Sequence, residues 1–207
     1  MVVRQETHPG AGVPAAPAEF TAAVAGLRTA RLRPEVLCEE MPAPQRIAPW
    51  SSALSADVTV DDTDVATGRI ILLHDPEGND AWGGTFRCVA YARAEIEVDL
   101  VSDPLLAGVG WSWLTDALEA HGAAYSHQSG TVTRVATESF GSMADEGGTA
   151  QIEVRASWTP VVGDDGVPDT APHVEAWGEL LCTAAGLEPV PDGVAVLQSR
   201  RGQRGAR

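Results

Sequence analysis

Between Phe86 and Leu100 the chain alternates. Every even position is apolar (Phe86, Cys88, Ala90, Ala92, Ala94, Ile96, Val98, Leu100), and most odd positions are polar, with Val89 and Tyr91 as exceptions. Successive strand side chains point to opposite faces, so a period of two over this length predicts one long strand, or one bent by a bulge, with one face buried. A helix would scatter both classes around its circumference. The segment 150–158 repeats the pattern, with Ala150, Ile152, Val154, Ala156 and Trp158 on one face. Residues 131–140 form a further strand, and the loop GSMADEGG joins the two as a hairpin.

Other stretches carry the helical period. Phe20, Val24 and Leu27 fall at i, i+4 and i+7, predicting a helix from Ala18 to about Leu32, ended by Pro34. A second helix has Asp103 as cap, Pro104 at its first position and Gly122 at its stop. A third runs from His173 to about Ala185, with Val174, Trp177, Leu180 and Leu181 on its apolar side and Gly186 at its stop. Short strands are expected at 35–41 and 57–60, and a continuous apolar one in GRIILLHD, bounded by a turn at DPEGND. Prolines 42, 44 and 49 make the segment between the first two irregular.

The order is roughly α-β-β-β-α-β-β-α. This predicts an α+β fold, an antiparallel sheet of about five or six strands covered by helices. Strand–helix alternation is absent, which argues against a doubly wound parallel sheet. Residues 1–16 and 188–207 read as flexible tails around a single domain at 17–187.

Charge narrows the class of partner. The 207 residues hold 29 acids and 14 basic residues, all arginine, for a formal net charge of -15. Arg200, Arg201, Arg204 and Arg207 share a stretch without acids, so the remainder is more negative still. Such a body repels phosphate backbones, which argues against nucleic acid as a partner and favours a protein with a basic surface. Cys38, Cys88 and Cys182 are far apart, so no disulfide framework is expected. No apolar run reaches membrane-spanning length, and the N-terminal stretch has no signal-peptide core. A cytoplasmic location is expected.

Catalytic and metal motifs are scarce. His74, Asp75, Glu77 and Asp80 could hold a divalent ion, but the same residues are what a turn requires. Cys38, Cys88 and a histidine could converge on zinc, though lone cysteines at apolar positions are usually core. No GxSxG elbow is present, and Ser139 or Ser142 would need His127 or His173 beside it. Gly108-Val109-Gly110 lies in a helical pattern and is no dinucleotide fingerprint. No metal and no cofactor are expected. Six tryptophans against three phenylalanines are unusual. Trp50 with Arg46, and Trp82 with Arg87, are the partner-binding candidates, because aromatics with arginine anchor interfaces.

The stretches RPEVLCEEMPAPQRIAPW, GRIILLHDPEGNDAWGGTFRCVAYARAE, DPLLAGVGWSWLTDALEAHGAAY and GTVTRVATESFGSMADEGGTAQIEVRASW resemble an actinobacterial family catalogued as a domain of unknown function, number three thousand. The resemblance covers about Phe20 to Gly186 and implies a cytoplasmic bacterial protein. It brings no activity and no catalytic residues. The element order is also similar to that of type III secretion chaperones, small acidic proteins that bind other proteins, an analogy of fold alone. The reading is a non-catalytic, protein-binding or chaperone-like adaptor. The alternative is an enzyme with an acid/base or metal site near His74, Asp75 and Glu138.

Overall fold

The computed structural model describes residues 15–44 and 46–189. The expected tails fall almost wholly outside the described residues. The elements run α1 (Ala18–Leu27), β1 (Val36–Met41), β2 (Trp50–Val60), β3 (Thr63–Asn79), β4 (Gly84–Ile96), a 3-10 turn at Val98–Ser102, α2 (Leu106–Ala120), β5 (Tyr125–Thr137), a second 3-10 turn at Gly141–Glu146, β6 (Thr149–Pro160) and α3 (Ala171–Ala184). The fold is α+β. Six strands form one sheet in the order β1-β2-β3-β4-β6-β5, with every neighbouring pair antiparallel.

Alternation decides which side of the sheet is dry. On β4, Phe86, Cys88, Ala90, Ala92 and Ala94 are buried, and on β6 so are Ala150, Ile152, Val154, Ala156 and Trp158. This face carries α3 and α2. Its small residues let the helices approach closely. A Cβ on Gly68 would stand 2.7 Å from the Tyr91 carbonyl and 2.8 Å from Leu181. Trp177 of α3 thereby reaches across the strands and donates its indole N–H to the Tyr91 carbonyl, at 3.1 Å. Trp111 lies against Gly130, so it does not share the helix face of Trp113.

Several expected boundaries move. Helix α1 stops at Leu27 instead of Leu32, because the chain turns at 28–29 and the Thr29 hydroxyl donates to the Gly26 carbonyl. Strand β2 begins at Trp50, well before the expected 57–60. Strand β3 continues through Asp75-Pro76-Glu77, and its register with β4 breaks between His74 and Asn79. The turn itself belongs to Asn79, whose carbonyl accepts from Trp82 and Gly83 and whose side chain accepts from Ala81. Gly83 supplies the positive φ of 68° that closes it. Helix α2 starts at Leu106, not Pro104; Asp103 still receives the Leu105 N–H. Strand β4 ends at Ile96, and that change shapes the site described next.

Candidate functional site

At Ile96 the alternation continues in the sequence while the strand does not. The backbone enters a 3-10 turn, with Leu100 N–H donating to the Glu97 carbonyl and Asp103 N–H to the Leu100 carbonyl. Arg134 of β5 fixes this turn by donating to the Asp103 and Val101 carbonyls. Val98 and Leu100, expected inside, are therefore 46% and 45% exposed. Leu105 and Val109 at the start of α2 are also exposed, as are Phe140 and Met143 in the β5–β6 loop. That loop meets the same end of the sheet, where Gly148 lies near Val98.

Leu100 and Val109 border a cleft of about 710 Å³. Its floor is Ile96, Leu100, Leu106, Val109 and Trp113, and the end of α3 forms the far wall. Glu95, Glu97 and Asp103 stand on its rim, and among the described residues no cation lines it. Contiguous exposed apolar surface with a polar rim is characteristic of binding sites. The signal for it in the sequence was present in Val98 and Leu100, but the alternation assigned them to the core.

The tryptophans and arginines singled out from the sequence as partner-binding candidates lie toward the opposite end. Trp50 is half-buried, its ring 6.2 Å from Phe20. Arg46 is exposed in the preceding connection with a φ of 73°. Trp82 is half-buried in the β3–β4 turn, and Arg87 is buried. The structure links these last two through Thr159, which accepts from the Arg87 guanidinium and donates to the Trp82 carbonyl. Arg87 also donates to the His127 carbonyl and to the Ser129 and Ser157 hydroxyls. Burial lowers its pKa.

His74, Asp75 and Glu138 are not brought together. His74 pairs with Phe86, whereas Glu138 follows β5 at the end where Ala150 pairs with Ile96. Ten β4 residues separate those ends, roughly 33 Å of strand. His74 is a core residue stacked on Phe20 and Phe86. Its Nδ1 donates to the Thr85 carbonyl, and its Nε2 lies 3.5 Å from Glu19. Cys38 and Cys88 sit on β1 and β4, with two strands between them, so they do not converge on a metal. Among the described residues no group of three His, Cys, Asp or Glu is placed to hold a metal ion. Burial pushes the Cys88 and Cys182 thiols up to about 12, which keeps them protonated. His173 is pushed down to about 4 by burial, and its neutral Nδ1 accepts from the Trp158 indole at 3.0 Å.

One family description matches residues 16–195, more than half of the chain. The chain belongs to the family "Protein of unknown function (DUF3000)". No curated protein and no solved structure matches it. Membership of DUF3000 assigns no residue a role, so the chemistry must be argued from the site. No helix among the described residues is long and apolar enough to cross a membrane.

Proposed function

We propose that this domain is a non-catalytic binding module that takes a basic, apolar segment of another protein into the cleft between the 3-10 turn at Val98–Ser102, α2 and the end of α3. The observation that carries this reading is the pairing of an apolar floor with a rim of three carboxylates and, among the described residues, no cation. Burying Leu100 and Val109 under a partner supplies the non-directional part of the affinity. Glu95, Glu97 and Asp103 select for arginine or lysine and speed encounter. The net charge of -15 acts in the same direction at longer range.

Titration calorimetry with two amphipathic peptides tests the reading, one built from leucine and arginine and the other from leucine and glutamate. The first is expected to bind and the second not. Leu100→Asp is expected to abolish binding, because it sets a carboxylate on the apolar floor. Glu97→Arg is expected to weaken it about tenfold by placing like charges together. Equal binding of both peptides, or of neither, overturns the proposal.

A further inference from the structure

The sheet face turned away from the helices carries a second, unrelated concavity. Registers place Arg69, Tyr91 and Arg155 side by side on β3, β4 and β6, with Thr131 of β5 next in the row. The adjoining row runs Ile71, Val89, Ser157 and Ser129. Together they line a groove of about 570 Å³, within the size range of small-molecule sites. Among the described residues no carboxylate lines it.

Its charge is unusual for so acidic a chain. Arg69 is exposed and has no ion-pair or hydrogen-bond partner among the described residues. Arg155 lies over the Tyr91 ring, 5.0 Å from its centre, and spends one nitrogen on Glu153 at 3.0 Å. In the next row of the same face, Arg87 is only 7% exposed, yet each acceptor it reaches among the described residues is neutral: one carbonyl and three hydroxyls. A buried charge without a counter-charge is costly and calls for an explanation. The Arg87 nitrogens donate to Ser157 Oγ at 2.6 Å and Ser129 Oγ at 3.3 Å. Those contacts occupy oxygen lone pairs. The two hydroxyls are 3.3 Å apart, so one O–H can bridge them and the other is left to donate into the groove. The buried guanidinium thus leaves one serine hydroxyl of the pair as a donor polarised toward an anion.

We propose that this groove binds a small organic oxyanion, a carboxylate or a phosphate ester, with its charge at Arg69, Arg155 and the Ser129–Ser157 hydroxyls and its apolar body on Ile71 and Val89. Arg87 does not touch the ligand; it orients the hydroxyl pair whose free O–H does. This site is independent of the acidic cleft, which selects the opposite charge.

Amide proton–nitrogen spectra of the full chain, titrated at constant ionic strength with phenyl phosphate, 4-methylpentanoate and inorganic phosphate, test the proposal. Phenyl phosphate or 4-methylpentanoate is expected to produce saturable shifts at residues 129–131 and 155–157. Whichever of the two binds identifies the ester or the carboxylate as the source. Arg69 is exposed, so Arg69→Gln keeps the fold; it is expected to weaken binding about tenfold, and Ser157→Ala about threefold, since charge-assisted bonds are the stronger. Inorganic phosphate binding as tightly as the organic probes would remove the apolar half of the proposal. No saturable shift with any probe, or unchanged affinity in both variants, overturns it.

Discussion

The two ends of the sheet treat similar residues in opposite ways. Around Phe86 the aromatic groups are enclosed: His74 stacks 4.1 Å from Phe86, Phe20 of α1 covers His74, and Trp158 donates to His173 of α3. Around Val98 the aliphatic groups are open, although the same even-numbered alternation carries both. The difference lies in what covers them. Helix α1 and the N-terminal half of α3 lie over the first end. At the second, the strand stops short and its last apolar positions pass into a turn that, among the described residues, no helix covers. One end is closed over by helices, and the other leaves its aliphatic side chains open.

The largest effects should separate those roles. Phe86→Ala at the closed end is expected to cost about 3–5 kcal/mol, the usual range for a buried aromatic cut to alanine. Leu100→Ser at the open end should change stability by no more than about 0.5 kcal/mol, as exposed positions do. Urea denaturation of both variants reads the contrast, and equal losses would erase it.

A smaller effect comes from acid. His173 titrates near 4 when folded, against an ordinary value of 6.5. Its folded pKa is depressed, so the unfolded chain binds the proton more tightly. The stabilisation is complete above pH 6.5 and is lost as pH falls from there towards 4. Between pH 7 and pH 5 this one group should remove about 2 kcal/mol. In His173→Asn, which keeps an acceptor for Trp158, that part of the pH slope should disappear from the unfolding free energy. If it persists, another group is responsible.

The smallest effect concerns the thiols. Cys88 and Cys182 are held near 12 by burial, and at pH 8 iodoacetamide should leave both unmodified in the folded protein. Mass spectrometry of peptides after a timed exposure checks this. Rapid alkylation of Cys88 would mean that the β4 face opens readily.

Much of the architecture was legible in the chain because period and punctuation agree. Phe86–Ile96, with Val89 and Tyr91 as its exceptions, and Ala150–Trp158 alternate and became neighbouring strands. Gly122 and Gly186 stop their helices with φ of 66° and 76°. What could not be read was where a pattern outlives its element. Nothing local distinguishes Leu100 from Ala94; the turn at Val98–Ser102 depends on Arg134, a distant residue on β5. The groove was hidden for a related reason. Arg69, Arg87 and Arg155 sit on three different strands, and only the β3-β4-β6 pairing makes them neighbours. Trp82 and Arg87 stood close in sequence, but their actual connection runs through Thr159 on β6.

The strand order also imposes a sequence of assembly. Strands β1 to β4 form a meander that can zip up as it is made, each strand pairing with the one just before it. The far edge of β4 then has no partner until β6 arrives, and β6 is the last strand among the described residues. Any chain interrupted before residue 149 exposes a bare edge with an alanine-rich, apolar face beside it, the arrangement most prone to recruit another copy. The β5–β6 hairpin is thus the element that shields the nascent domain from its own neighbours.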